Sequence, residues 1–301
     1  MVSGNYGPYS LITDEIIEDI KNNVEISCIH NKQTLHLINE LLMMNVDRSK
    51  IMLTFDDYFH RAIPKHFKVN GLAKWFNDKY DIRKHGFHGI ACANIKSQLR
   101  HYIDRESFNA IFVHLGSGCT ISLIKDGESV NNTATYTPTS GIMMGHRSGN
   151  LDPSIFTHLM TEFKTIKRIN QFLNKECGLF GMTNHTSIEH ILEDDSEEAK
   201  TNLIAFTNQI IKEIIYYFNI LPTVDNIIFS GGISEYNPKL IKMIIDGIKL
   251  VKVYLNKDFE QKQGVNRISD VSSEIDVYLI YVDEEKEMYD MVNNINENEP
   301  Y

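Results

Sequence analysis

Arg147 is the residue whose surroundings point most clearly to chemistry. It lies in TSGIMMGHRSGNLDP, residues 139–153, between Gly145 and Gly149. Glycines let a ligand approach the backbone closely, and a guanidinium can bind a carboxylate or a phosphate through two parallel hydrogen bonds. The stretch therefore favours an anion site. It also fits a surface loop in which Arg147 pairs with Asp152.

A second candidate is the stretch VHLGSGCTISL, residues 113–123. Two apolar β-branched runs flank a turn, which predicts a β-hairpin. Gly116 and Gly118 can adopt the positive φ that such a turn uses. On these residues alone, His114 is an ordinary polar residue at the end of a strand.

The stretch NIIFSGGISEYNPKL, residues 226–240, ends an apolar run in Gly231 and Gly232 and then starts a helix, with Pro238 suited to a first helical turn. A glycine turn between a strand and a helix exposes backbone N–H groups, against which a nucleotide phosphate can bind. A tight turn without a ligand fits the same residues.

Acidic and histidine residues follow two other strand-like or turn-like stretches. Asp56 and Asp57 end the strand in TFDDYFHRAIP, where carboxylates are typical either of Mg²⁺ ligands or of helix caps. His85 and His88 lie in RKHGFHGIACANIK, but no further ligand follows at a zinc-type spacing. The sequence therefore does not predict a metal site built from these histidines.

These residues must be positioned by elements that alternate along the chain. Strand-like and helix-like stretches follow one another in the order IMLTF, AIFVHL, TNLIAFTNQIIKEIIYYF, NIIFS, NPKLIKMIIDGIKLV, DVYLIY and EEKEMYDMVNNI. This alternation predicts an α/β layered fold. The sheet is predicted to be mixed, because FVHLGSGCTISLIKDGESV reads as an antiparallel meander.

Composition and charge narrow the class of protein. The 301 residues are 42% hydrophobic and 23% charged, which is typical of globular proteins. The formal net charge of −10 argues against nucleic acid or an anionic membrane as the main partner, because both require a basic face. We find no apolar run long enough to span a membrane and no signal-peptide pattern, so a cytoplasmic location is expected. The four cysteines have no metal-like or disulfide-like spacing, and reduced thiols are expected.

Five stretches in fixed order resemble the acetate kinase family, which includes propionate and butyrate kinases. They are SCIHN, FDDYFHRAIP, HGFHG, HLGSG with TPTSGIMMGHRSGNLDP, and FSGGISEYN. The resemblance implies the actin-like ATPase fold shared with sugar kinases and Hsp70, with two domains of which the first is incomplete. Residues 1–60 and 284–301 would belong to the first domain, and residues 61–283 would form the second, nucleotide-binding domain. The resemblance also implies a homodimer.

The same resemblance implies roles for individual residues. His88 and Arg147 would contact the carboxylate and the transferring phosphoryl group, Asp56 would act near them, and Glu284 would hold Mg²⁺. The remaining implied residues are His114, Gly116, Gly118, Gly231, Gly232 and Ile233 for ATP or ADP, and Ile29, His30, Phe87 and Pro138 for the small acyl pocket.

The implied reaction converts ATP and acetate, or another short-chain carboxylate, into ADP and an acyl phosphate. The sequence departs from the family pattern at several places. No counterpart of the family's first Gly/Ser-rich loop or of an early active-site arginine is found, so an N-terminally truncated member is expected. Ser117 replaces an asparagine, and Ile188, Glu189 and His190 replace an Asp-Phe-Arg triplet. An active kinase and a catalytically impaired relative, with weak nucleotide binding or an interaction role, are therefore the two hypotheses.

Overall fold

The structure is a computed structural model that describes residues 6–22, 28–256 and 263–293, with the backbone alone for residues 28–30. The strands are β1 Tyr9–Leu11, β2 Met52–Thr54, β3 Ala110–Leu115, β4 Cys119–Lys125, β5 Glu128–Asn132, β6 Asn226–Ser230, β7 Val265–Arg267 and β8 Asp276–Ile280. The helices are α1 Asp14–Asn22, α2 Cys28–Met43, α3 Lys65–Lys68, α4 Lys74–Tyr80, α5 Gly89–Ile103, α6 Ile155–Phe163, α7 Ile166–Lys175, α8 Gly178–Thr183, α9 Ile188–Glu193, α10 Glu197–Ile220, α11 Gly232–Tyr236, α12 Pro238–Gly247 and α13 Glu284–Asn293.

A mixed six-stranded sheet forms the centre of the molecule, in the order β5-β4-β3-β6-β8-β7. β3, β6 and β8 run parallel to one another, while β4, β5 and β7 are antiparallel to their neighbours. The predicted hairpin and meander are confirmed, and so is the predicted mixed sheet. The long apolar stretch predicted to be a helix is α10.

The sheet is covered on both faces, which explains why its central strands are apolar throughout. All residues of β3 are buried, and so are all residues of β6. Ile111 and Val113 belong to a large core that includes side chains of α10 and α12, whereas Phe112 packs in a second core with side chains of α5. Because side chains alternate along a strand, His114 lies on the same face as Phe112, towards α5.

A smaller layer lies beside this sheet. β1 and β2 pair antiparallel, and Leu53 of β2 shares a separate core with Ile16 of α1 and Ile38 of α2. This separate core is compatible with the predicted division of the chain near residue 60, which stays a prediction. Among the helices described above, none combines the length and apolar character that a membrane span requires.

Two of the predicted reduced thiols are inert by position. Cys92 and Cys119 are buried, and burial raises the pKa of both to about 12. Cys177 is partly exposed, and the side chain of Cys28 lies outside the described part of the chain.

Candidate active site

The ends of three neighbouring strands bring a group of polar side chains together. His114 faces Thr120 across the β3–β4 hairpin and Ser230 in the parallel β3–β6 pair. The Nδ1 atom of His114 lies 3.1 Å from the Ser230 hydroxyl, and that of His88 lies 3.0 Å from the Thr120 hydroxyl. The two imidazole rings lie 4.8 Å apart, centroid to centroid. The hairpin therefore holds both histidines at one edge of the sheet.

His88 is held in an unusual backbone conformation just before α5. Its φ of 59° is in the left-handed region, which is uncommon for a residue with a side chain. The Asp56 carboxylate accepts hydrogen bonds from the backbone N–H groups of His88, at 2.9 Å, and Ile90, at 3.3 Å. Gly89 is required here, because a Cβ atom would lie 2.0 Å from the Asp56 carbonyl oxygen. Asp56 thus caps α5, thirty residues further along the chain, and fixes His88.

Gly118 lets the side chains of His88 and Arg147 pack close to the backbone of the β3–β4 turn. A Cβ atom at this position would lie 2.6 Å from His88 Nε2 and 2.9 Å from Arg147 Nη1. The expectation that Gly116 and Gly118 serve a turn with positive φ is wrong, since neither has a positive φ. At Gly118 the glycine is needed for room beside His88 and Arg147.

Arg147 is a buried residue, only 9% exposed, and its Nη1 atom donates to the Pro138 carbonyl oxygen at 3.1 Å. Helix α8 holds the Arg147 loop in place, because backbone N–H groups in the first turn of α8 donate hydrogen bonds to the carbonyl oxygens of Met144 and Gly145. Asp152, the partner considered from the sequence, is exposed, and its carboxylate accepts from the Ser154 N–H. The surface-loop alternative therefore does not describe Arg147.

Two clefts meet at Glu284, which starts α13. The large cleft has a volume of about 940 Å³ and is lined by His114, Gly116, Gly231, Gly232 and Glu284 among others. The small cleft has a volume of about 390 Å³, and its lining includes Asp56, His88 and Glu284. Glu284 is thus placed between the strand ends and the side where Asp56 and His88 lie.

Glu284 and Asp56 give this junction an acidic character. Partial loss of hydration and the negative charge of Asp56 raise the pKa of Glu284. Carboxylate oxygens are ligands that Mg²⁺ prefers. No group of three or more His, Cys, Asp or Glu side chains in the described residues is arranged to hold a metal. Glu284 and Asp56 could therefore supply only part of the coordination of a Mg²⁺ ion, and the other ligands would have to be water or a bound molecule.

The other predicted site residues are distributed around the clefts. Phe87 and Pro138 are buried, and Gly231 and Gly232 line the large cleft. Ile233 instead packs against the main core, partly buried, because its position on α11 faces the sheet side. The side chains of Ile29 and His30 lie outside the described part of the chain.

Three polar residues of the site were not singled out from the sequence. Thr120 and Ser230 bond the two histidines, and their positions follow from strand register once the hairpin turn is fixed. The third is His60, whose ring lies 2.9 Å from the Phe87 carbonyl oxygen and 2.7 Å from the Ser129 hydroxyl. No local sequence pattern indicates this last contact, because it joins residues far apart in the chain.

We expect stability to fall as the pH drops from about 6.5 to about 4. Burial lowers the pKa of both His60 and His114 to about 4, below the 6.5 of an unperturbed histidine. Between pH 6.5 and pH 4 these histidines become protonated in the unfolded chain but stay neutral in the folded one. Each of them therefore lowers the free energy of unfolding by up to about 1.4 kcal/mol for every pH unit of acidification. Urea unfolding at several pH values measures this slope, and His114→Gln should make it shallower. If the free energy of unfolding of His114→Gln depends on pH as steeply as that of the unmodified protein, His114 is not held neutral in the folded state.

Comparison with known proteins finds relatives that match most of this chain. The chain is 28% identical over 290 residues to an acetate kinase of Mycoplasmoides gallisepticum, covering 95% of this chain and 74% of the relative. It is 33% identical over 272 residues to an acetate kinase of Desulfitobacterium hafniense, covering 87% and 67%. A propionate kinase structure from Francisella tularensis matches with a TM-score of 0.84 and 25% identity, over 93% of this chain and 73% of that one. An Entamoeba histolytica acetate kinase structure matches with a TM-score of 0.86 and 22% identity, over 98% and 79%.

These matches confirm the predicted α/β fold of the actin-like ATPase class. The model of the acetokinase family matches residues 3–289. The chain belongs to the acetokinase family.

Proposed function

We propose that this protein transfers the γ-phosphoryl group of ATP to acetate, giving ADP and acetyl phosphate. The observation that carries the proposal is the convergence of His88 Nε2 and Arg147 Nη1 on the backbone at Gly118, where a Cβ atom would lie 2.6 Å from the first and 2.9 Å from the second. Phosphoryl transfer needs little covalent assistance and depends on positioning and on neutralising charge around the transferred group. Two nitrogen-bearing side chains that converge on one glycine provide such a pair of hydrogen-bond donors. Trapping the acyl phosphate with hydroxylamine tests it.

In this reaction a carboxylate oxygen of acetate forms a bond to the γ-phosphorus, and the bond from that phosphorus to the β–γ bridging oxygen breaks. ADP leaves with the bridging oxygen. Arg147 and His88 donate hydrogen bonds to the equatorial oxygens, and Asp56 holds His88 in place through the backbone. A bound Mg²⁺, with Glu284 among its ligands, would supply further charge neutralisation on the phosphates.

The acyl group would lie against apolar walls. Phe87 and Pro138 are buried next to His88 and Arg147 respectively, and the Pro138 carbonyl oxygen bonds Arg147 directly. By the resemblance to the family, Ile29 and His30 would also belong to this proposed pocket for a short-chain carboxylate. The resemblance to the family supports this assignment.

The nucleotide is proposed to occupy the large cleft, with its phosphates towards His114, Gly116 and Gly118 and its adenosine side near Gly231 and Gly232. The family and the lining of the cleft support this placement. A homodimer is proposed as well. It is supported by α6, which has no buried residue and exposes Ile155, Phe156 and Met160.

A slow enzyme with weak nucleotide binding is the second candidate, and the surroundings of the Gly-Gly turn favour it. Glu189 lies 3.3 Å from the side-chain nitrogen of Asn237, at the far end of α11 from this turn. Its negative charge therefore lies at the opposite end of a five-residue helix from the Gly-Gly turn, within the range over which it repels a polyanionic ligand. Ile188, at the first position of the replaced triplet, is buried in the core and cannot contact a nucleotide. Turnover below the usual range of about 1 to 10³ s⁻¹ is expected on this account.

We expect MgADP to bind with a dissociation constant in the high micromolar range or weaker, and Glu189→Gln to tighten it severalfold. The substitution removes one negative charge near the ligand and keeps the oxygen that accepts from Asn237. Isothermal titration calorimetry measures both values. Glu193→Gln, at an exposed position on the same helix, is the matched control and should change little. Low-micromolar binding by the unmodified protein would contradict this expectation.

A further inference from the structure

The peptide group that joins Phe87 to His88 is held at both of its polar ends. Its N–H donates to the Asp56 carboxylate at 2.9 Å. Its carbonyl oxygen lies 2.9 Å from Nε2 of His60 and 3.3 Å from Nδ2 of Asn132. Three side chains from outside this segment therefore fix the plane of one peptide bond.

The two donors at the carbonyl oxygen are identified by their other contacts. The Asn132 Oδ1 atom accepts from the Ala134 N–H at 2.8 Å, so the Nδ2 group is the one that faces Phe87. A carbonyl oxygen can only accept, so His60 must carry a proton on Nε2. Burial lowers the pKa of His60 to about 4, so the ring is neutral at neutral pH and has a single N–H. Its Nδ1 atom therefore accepts from the Ser129 hydroxyl at 2.7 Å, and His60 is held as one tautomer.

The two glycines of the GFHG stretch, residues 86–89, make room for the residues that hold the peptide group. A Cβ atom at Gly86 would lie 2.6 Å from Cγ of His60. A Cβ atom at Gly89 would lie 2.0 Å from the Asp56 carbonyl oxygen. Each glycine of this motif therefore lets one of these two residues approach the backbone next to Phe87 and His88.

The backbone at His88 depends on such contacts because its conformation is uncommon. With a φ of 59° and a ψ of 35°, His88 lies in the left-handed region, which a residue with a side chain keeps only where its surroundings enforce it. Rotation of the preceding peptide plane would change this φ and turn the imidazole. The contact of His88 Nδ1 with the Thr120 hydroxyl, at 3.0 Å, depends on the present direction of the ring.

We propose that His60 is a positioning residue that sets the direction of the His88 side chain. Its Nε2 atom donates to the Phe87 carbonyl oxygen and so holds the peptide plane, with Asn132 as the second donor. In this orientation the Nε2 atom of His88 lies beside Gly118, where the phosphoryl group is proposed to bind. The consequence for the reaction rests on the proposed function, whereas the hold on the peptide group does not.

Nitrogen NMR of the protein labelled in its histidine rings tests the proton assignment. The chemical shift of a ring nitrogen shows whether that nitrogen carries a proton, and the signals of His60 are identified by their loss in His60→Gln. At neutral pH we expect His60 to be uncharged, with its proton on Nε2. A proton on Nδ1 alone would overturn the proposal, because Nε2 could then not donate to Phe87.

Two substitutions of similar size separate the contact with Phe87 from the mere presence of a polar side chain. The amide introduced by His60→Gln reaches about as far as Nε2 and can donate to Phe87, whereas the amide introduced by His60→Asn reaches only about as far as Nδ1. Hydrogen–deuterium exchange on the ligand-free protein should rise over residues 86–90 in His60→Asn and stay unchanged in His60→Gln. Equal exchange over these residues in the two variants would overturn the proposal.

The rate of acetyl phosphate formation tests the consequence for the reaction. His60→Asn should lower kcat at least about tenfold with KM for ATP within about twofold, and His60→Gln should recover kcat to within about threefold of the unmodified protein. If kcat falls equally in both variants, His60 is structural only and the proposal is wrong. If the unmodified protein forms no acetyl phosphate, the proposed function fails, while exchange and NMR still decide the hold on the peptide group. The tautomer seen by NMR decides it where His60→Asn does not fold.

Discussion

Arg147→Ala is expected to lower the rate of acetyl phosphate formation by about a thousandfold, because removing one cation from a phosphoryl-transfer centre typically has an effect of this size or larger. Arg147 is buried beside Gly118 and His88, where its charge is poorly screened by water. The Pro138 carbonyl oxygen fixes the guanidinium at 3.1 Å, so little reorganisation is needed when negative charge develops. Hydroxamate formation from ATP and acetate measures the loss.

Two comparisons make this result interpretable. Arg168→Ala removes an arginine that pairs with Glu176 outside the site, and it should leave the rate within about twofold. Arg147→Lys keeps the charge but loses the planar fork, so it should recover only part of the rate. If Arg147→Ala leaves both the rate and acetyl phosphate binding unchanged, the guanidinium only stabilises its loop.

Gly118→Ala is expected to abolish activity while lowering the free energy of unfolding by only about 1 to 3 kcal/mol. The φ of Gly118 is not positive, so alanine does not strain the backbone. Its Cβ atom would instead occupy the space 2.6 Å from His88 Nε2 and 2.9 Å from Arg147 Nη1. The two side chains must move, which displaces both nitrogens from the positions in which they are proposed to bind the phosphoryl group. Urea unfolding and the hydroxamate assay separate the two effects.

Gly71→Ala is the matched control for this substitution. Gly71 also lacks a positive φ, and a Cβ atom there would meet nothing within 4 Å. It should keep both activity and stability. Activity in Gly118→Ala comparable to that of Gly71→Ala would show that the transfer does not depend on how His88 and Arg147 pack against Gly118.

Local sequence patterns account well for the elements of the sheet. AIFVHL and NIIFS predict buried strands, and both are buried over their whole length as β3 and β6. The reason is physical: a strand covered on both faces must be apolar at every position, and such a run is easily recognised. The proline at the start of α12 likewise marked a first helical turn, as expected from its fixed φ.

The contacts that build the site were less accessible from sequence. Asp56 accepts hydrogen bonds from backbone N–H groups at the start of α5, more than thirty residues along the chain. No local sequence pattern shows that Asp56 caps this distant helix and not the helical turn that directly follows it. The glycine at 118 was explained by its backbone freedom, whereas its function depends on the distance to two side chains from other elements. Only the fold brings these elements together, so such distances are a tertiary property.

The most direct test of the proposed reaction follows the phosphoryl group itself. Purified protein is incubated with Mg²⁺, acetate and ATP labelled in its γ-phosphate, and the labelled acyl phosphate is separated and counted. We expect labelled acetyl phosphate that requires acetate and falls to background in Gly118→Ala, even where turnover is slow. A folded protein that forms no labelled acetyl phosphate, or forms it equally well with Gly118→Ala, would contradict phosphoryl transfer at the site formed by His88, Gly118 and Arg147.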